Sequence, residues 1–170
     1  MDGRSHPNLQ PILLPLVFFD TSALVKAYVT EPGSDAVTEL IDRYRDSLWV
    51  SDLVALEAMT TFALKVRDGR LRTSAYKKVR TEFFADLPHR FNRVPVDDLV
   101  IRTAIELAHR HRKMSVGGLE LLHVAAAMHA DTDDELTIVC ADRAMRNLAS
   151  AAGFSVFNPE TDDPITLAMN

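Results

Sequence analysis

Four acidic side chains carry the chemical argument in this sequence: Asp20, Glu57, Glu120 and Asp142. Asp20 closes the apolar run Leu16, Val17, Phe18, Phe19, and Asp142 follows the apolar stretch 136–141. Glu57 sits among Leu56, Ala58 and Met59, while Glu120 comes just after Gly117 and Gly118. Carboxylates that converge from several elements can hold a hard divalent cation that keeps part of its water shell. Such ions neutralise a non-bridging phosphate oxygen and activate a water, which are the two needs of phosphodiester hydrolysis. Nearby helix N-termini favour phosphate as well. Each residue taken alone has a plainer explanation. A carboxylate at a strand end often caps a helix, and a lone glutamate on a helix is usually solvated surface.

The elements that must position these groups can be read from the hydrophobic pattern. Residues 16–19 suit a central parallel strand covered on both faces. A helix starts at Thr21 and is broken at Glu31, Pro32 and Gly33; Ser34 can cap the next helix, with Val37, Leu40, Ile41 and Tyr44 on one face. A second strand spans 48–50, and Ser51 is the expected N-cap of a helix running through Glu57 to 67. Residues 73–85 form a further amphipathic helix stopped by Pro88, 93–96 a short strand, and Asp97 caps a helix to 112. A helix over 119–130, a strand over 136–141, a helix over 143–152 and a strand over 155–157 complete the order. Regular alternation without an internal repeat predicts an α/β fold: one domain over 16–159, with a central parallel sheet flanked by helices. Residues 1–15 are expected to be a flexible leader and 160–170 an irregular tail. In such sheets function collects at the carboxyl ends of strands, where Asp20 and Asp142 fall.

The residues around the four acids resemble one family. The segment Phe18-Phe19-Asp20-Thr21-Ser22-Ala23-Leu24-Val25-Lys26 resembles the opening motif of PIN domains, especially VapC-type toxins. Ser51-Asp52-Leu53-Val54-Ala55-Leu56-Glu57 is similar, more loosely, to the second acidic motif. Glu120-Leu121-Leu122-His123-Val124-Ala125-Ala126-Ala127 resembles the third, usually Asp-Ala-Leu-His-Leu-Ala. Val139-Cys140-Ala141-Asp142-Arg143 resembles the fourth, usually Val-Thr-Ala-Asp-Arg. The likeness runs from Leu16 to about Pro159. It implies a PIN fold and metal-dependent cleavage of RNA, with Asp20, Glu57, Glu120 and Asp142 as catalytic and metal-binding acids for Mg2+ or Mn2+. It also implies attack by a metal-activated water without a covalent intermediate, and supporting roles for Thr21, Ser22 and Arg143. Two departures stand out: Glu120 replaces the usual Asp with a longer, more flexible side chain, and Cys140 replaces a Thr and so loses a hydroxyl.

Other features set bounds on function. A chain of 170 residues with 47% hydrophobic and 25% charged residues is an ordinary globular composition. Its net charge of −5 does not announce a nucleic-acid binder, yet local arginines can override a mean. The single cysteine, Cys140, excludes an internal disulfide and a cysteine-based zinc site. Residues 12–19 are too short to span a bilayer and lack the flanks of a secretory signal, so a cytoplasmic location is the default. Glu120 and His123 form a Glu-x-x-His pair, but a carboxylate-bridged iron site needs a second pair. His123 is read instead as a packed or hydrogen-bonded helix residue. His109 and His111 diverge on a helix. Asp131, Asp133, Asp134 and Glu135 lack the glycine and spacing of a calcium loop, and Asp52, Asp97 and Asp98 sit where helix starts are expected. Two basic clusters are candidates for guiding RNA: Arg67, Arg70, Arg72, Lys77, Lys78 and Arg80, and Arg110, Arg112 and Lys113.

The leading expectation is therefore an endoribonuclease, the toxin of a toxin–antitoxin pair, with an RNA substrate, a cognate antitoxin, a homodimeric state and no membrane partner. The alternatives are an RNA-processing PIN nuclease that is not a toxin and a PIN-fold binding or regulatory protein without catalysis. A phosphoaspartyl phosphatase would normally need a second Asp two residues after the first, where this chain has Ser22.

Overall fold

Leu16–Phe19 forms strand β1, in which Val17, Phe18 and Phe19 are fully buried. Side chains alternate along a strand, and here Val17 and Phe19 enter one apolar cluster while Phe18 enters the other. A continuous apolar run is the sequence form of a strand covered on both faces. The computed structural model describes residues 16–130 and 135–167. The expected leader 1–15, the loop residues Asp131, Asp133 and Asp134, and residues 168–170 lie outside the described residues.

Four more strands join β1: β2 (Leu48–Ser51), β3 (Asn92–Val94), β4 (Leu136–Val139) and β5 (Ser155–Phe157). They form one sheet in the order β3-β2-β1-β4-β5, and every pairing is parallel. The α/β architecture with a central parallel sheet is thus as expected from the sequence. From β1 the chain builds outward to β2 and β3, then returns to add β4 and β5 on the other side. The order reverses at the gap between β1 and β4, where the carboxyl ends of open parallel sheets form their crevice.

The helices are α1 (Thr21–Leu24), continued by a 3-10 turn over Val25–Ala27, α2 (Ser34–Arg43), α3 (Leu53–Arg67), α4 (Thr73–Arg90), α5 (Asp98–Arg110), α6 (Gly118–Met128), α7 (Arg143–Ala151) and α8 (Pro164–Leu167). Buried residues of α2, α3 and α4 pack on one face of the sheet, and those of α5, α6 and α7 on the other. Asp97 caps α5 as expected, accepting from the backbone N–H of Leu99 and Val100 at 3.0 Å each.

Three local expectations are corrected. Helix α4 runs through Pro88 to Arg90. A proline in the last turn removes little of the hydrogen-bond ladder, and buried Leu87 and Phe91 hold the chain on either side. Ser51 does not cap α3: it is the fully buried last residue of β2. Asp52 takes the N-cap position without a side-chain cap and pairs with Arg93 at 2.6 Å. The tail is not wholly irregular, because α8 docks on the domain. Leu167 is buried in the first cluster, Arg43 Nη1 donates to the Pro164 carbonyl at 3.1 Å, and Asp163 accepts from the Ile165 N–H at 2.9 Å.

Candidate active site

Asp20 leaves β1 as the N-cap of α1. Its Oδ2 accepts from the Ser22 N–H at 3.0 Å, and its own N–H continues the ladder to the Val139 carbonyl at 3.0 Å. Asp142 leaves the β4 edge in the same way and caps α7 through the Met145 N–H at 2.8 Å. Ser22 ties the two strand ends together, because its Oγ accepts from the N–H groups of Ala141 at 3.0 Å and Asp142 at 3.2 Å. Arg146 donates to the Ala141 carbonyl from below the same turn. The helix-cap explanation of Asp20 and Asp142 is therefore correct, and it is also what fixes their direction.

Glu57 reaches this edge from the second turn of α3. Its Oε2 accepts from Thr21 Oγ1 at 2.7 Å and is hydrogen-bonded to His123 Nε2. His123 is 1% exposed, and its Nδ1 lies 2.9 Å from Ser51 Oγ. Its Nε2 is also 3.7 Å from Asp20 Oδ1. Burial works to raise the Glu57 carboxyl, but His123 and Thr21 outweigh it and hold the group below its ordinary range. Burial likewise works to lower the His123 imidazole, and Glu57, Asp20 and Glu120 together hold it above its ordinary range. Three of the four acids, Asp20, Glu57 and Glu120, thus act on one buried imidazole.

Glu120 stands in the first turn of α6, where a carboxylate complements the helix dipole. Its side chain folds over Gly117: a Cβ at position 117 would lie 2.5 Å from Glu120 Oε2. The missing side chain is the space that the longer acid occupies.

Asp20, Glu57, Glu120 and Asp142 all line one cavity of about 490 Å3. Among the described residues, no three ligating side chains close into a metal cage. Carboxylates supply the oxygen donors that a hard divalent cation prefers, and waters complete its shell. Cys140 lies beneath Asp20, 3.4 Å from Oδ2, and burial, with the Asp20 charge, pushes its thiol far above its ordinary range. A thiol so held is inert.

A model of the PIN domain matches residues 17–151. The chain belongs to the PIN-domain family. Two relatives from Mycobacterium tuberculosis strains, named ribonuclease VapC45 and ribonuclease VapC49, are each 30% identical over 149 residues, which is 88% of this chain and 99% of theirs. Among solved structures, FitAcB from Neisseria gonorrhoeae superposes with a TM-score of 0.63 at 18% identity, over 86% of this chain and 100% of that one. DNA-bound VapBC from Salmonella typhimurium gives 0.63 at 11% identity, over 85% and 98%. PAE2754 from Pyrobaculum aerophilum gives 0.61 at 18%, over 95% of each chain. These structural likenesses show the fold.

Within this PIN domain, Thr21 and Ser22 orient the acids as described. Arg143 is exposed and does not line the cavity. The buried face of α7 is Met145, Leu148 and Ala149, and Arg143 falls off it. The cations that do line the cavity are Lys26, Lys65 and Arg70. Of these, only Arg70 belongs to a basic cluster visible in the sequence. Lys26 and Lys65 are 5% and 4% exposed. Each has apolar residues on both sides, Val25 and Ala27 for Lys26 and Leu64 and Val66 for Lys65, and a lysine inside an otherwise buried helical face was the available signal.

Proposed function

We propose that this PIN domain is a metal-dependent endoribonuclease, the toxin of a VapBC-type pair. The observation that carries the reading is the convergence of four acids, drawn from β1, α3, α6 and the β4 edge, on one cavity. Two relatives that bear the name ribonuclease VapC, matched along nearly their whole length, support it. Asp20, Glu57, Glu120 and Asp142 would hold Mg2+ or Mn2+. When bound, such an ion supplies charge neutralisation at the phosphate and a more acidic water.

The protein's own share is positioning and charge. Thr21 and His123 keep Glu57 ionised and aimed at the cavity. The Ser22 hydroxyl holds the turn that carries Asp142, so Asp20 and Asp142 keep a fixed separation. Gly117 leaves Glu120 the room it needs. The resemblance to VapC-type toxins further implies an antitoxin partner, a homodimer and a cytoplasmic site of action. Neighbours solved as VapBC assemblies support the first of these. Among the described residues, no helix is long and apolar enough to cross a membrane.

The test is cleavage of a mixed tRNA and structured-RNA pool by the purified, antitoxin-free protein in Mg2+, Mn2+ or EDTA, beside Asp20→Asn. Cleavage that requires metal and is lost in the variant is the expected result. Folded protein that neither cleaves RNA nor binds Mn2+ would overturn the proposal in favour of a PIN-fold binding protein.

A further inference from the structure

A second group of side chains lines the same cavity and sets two lysines among two further acids: Lys26, Glu31, Lys65 and Glu160. Lys26 extends from the 3-10 turn after α1, Lys65 from α3, Glu31 from the loop before α2, and Glu160 from the segment after β5. Glu31 is shared. Its Oε2 accepts from Lys65 Nζ and its Oε1 from Lys26 Nζ at 3.3 Å. Glu160 Oε1 accepts from Lys26 Nζ at the shorter distance of 2.8 Å.

Two nearly buried ammonium groups therefore share one partly buried carboxylate, which leaves one positive charge. An ammonium taken out of water needs an ionic partner, and here that partner is Glu160. The two carboxylates differ in how firmly they are fixed. Glu31 is 20% exposed and hydrogen-bonded to both lysines, whereas Glu160 is 41% exposed and bonds Lys26 alone. With its own carboxylate near half exposed, Glu160 is the more easily exchanged of the two partners. The chain beneath Glu160 is nonetheless well placed. The Glu160 N–H donates to Asn158 Oδ1 at 3.2 Å, and the Pro159 carbonyl rests against Gly33, where a Cβ would come within 2.7 Å. The carboxylate can leave Lys26 while its backbone stays.

We propose that Lys26 is a binding site for a backbone phosphate of the RNA strand, occupied in the free protein by the Glu160 carboxylate, which the phosphate displaces. The inference rests on the nuclease reading above. Lysine binds phosphate as a point charge through charge-assisted hydrogen bonds. Without metal, a cavity whose other wall holds four carboxylates repels the strand, and positive charge released as the strand enters offsets that repulsion. Displacement of Glu160 releases that charge only when an anion is there to take it.

The experiment measures binding of a short, labelled, mixed-sequence RNA by anisotropy in EDTA, where no cleavage intervenes. Full-length wild type is compared with Glu160→Gln, with Lys26→Met, with the double variant, and with Asp35→Asn as a charge control outside the cavity. Glu160→Gln keeps the shape and removes the competing charge. It should bind about five-fold more tightly than wild type, the worth of one half-exposed ion pair. Asp35→Asn should not reproduce the gain, and Lys26→Met should abolish it in the double variant. Unchanged or weaker binding by Glu160→Gln, an equal gain in Asp35→Asn, or no RNA binding by any form would overturn the proposal. The charge control keeps the comparison decisive if Lys26→Met does not fold. A wild type that binds RNA in this way but never cleaves it with metal would instead count against the nuclease reading alone.

Discussion

Replacing His123 by leucine separates the buried polar relay from the packing around it. The imidazole is 1% exposed and connects Ser51 Oγ to Glu57 Oε2. Leucine is of comparable size and bonds neither. Ser51 is fully buried, so its hydroxyl would be left without a partner, at a cost of about 1–3 kcal/mol. Glu57 would keep Thr21 but lose a charge-assisted bond, about 1 kcal/mol after allowing for its partial exposure. The apolar side chain returns about 1 kcal/mol. The net loss of about 1–3 kcal/mol lowers Tm by about 2–12 °C for a chain of this size, measured by calorimetry in EDTA. Ser51→Ala in the leucine background removes the orphaned hydroxyl and should recover about 1–2 kcal/mol, a non-additivity expected of direct contacts. The effect also depends on pH. His123 is held above its ordinary 6.5, so its contribution is complete below that value and fades as pH rises through the folded pKa. Glu57 is held below its ordinary 4.5, so its contribution is present above that value and is lost as pH falls through the folded pKa. The gap between wild type and variant should be widest between those two values and narrow on either side toward the part due to Ser51. An unchanged Tm, or a Ser51→Ala loss that simply adds to the first, would refute the relay.

Two glycines give further tests. Gly117→Ala meets an ordinary backbone conformation, so urea denaturation should change by no more than about 0.5 kcal/mol. Its Cβ would displace the Glu120 carboxylate, and metal-dependent cleavage should fall by up to about a hundredfold; a wild-type rate would remove Glu120 from the chemistry. Gly33→Ala meets both a φ of 87° and the Pro159 carbonyl at 2.7 Å, and urea denaturation should show a loss of at least about 2 kcal/mol. Wild-type stability in that variant would mean that the segment before α8 is not seated on the Gly33 turn.

The acids were legible because their positions are local: two follow apolar strands and two lie on helices whose pattern is plain. The parallel sheet was legible for the same reason, since Val17, Phe18 and Phe19 form a run with no polar face. Contacts through space were not. Ser51 looks like a cap because serine before a helix usually is one, yet its partner is His123 on α6, and no spacing links positions 51 and 123. Of the basic residues that cluster in sequence, Arg70 alone lines the cavity. The cavity's lysines are far apart in sequence, each with apolar residues on both sides, and are bridged by Glu31. The tail was misjudged because one leucine, Leu167, was enough to dock it.

The Ser22 hydroxyl bonds backbone groups 119 and 120 residues further along, and β1 takes one of its two neighbours from the same distant region. Closing so long a loop is entropically slow, and it cannot begin before β4 exists. During translation, the first part of the chain can bring β1, β2 and β3 together while Asp20 still lacks its counterpart. The ribosome must therefore synthesise residue 142 before any copy can possess a complete acidic pocket, and a chain terminated earlier carries only fragments of one. For a protein proposed to destroy RNA, the order of the strands thus delays competence until both halves of the sheet have been synthesised.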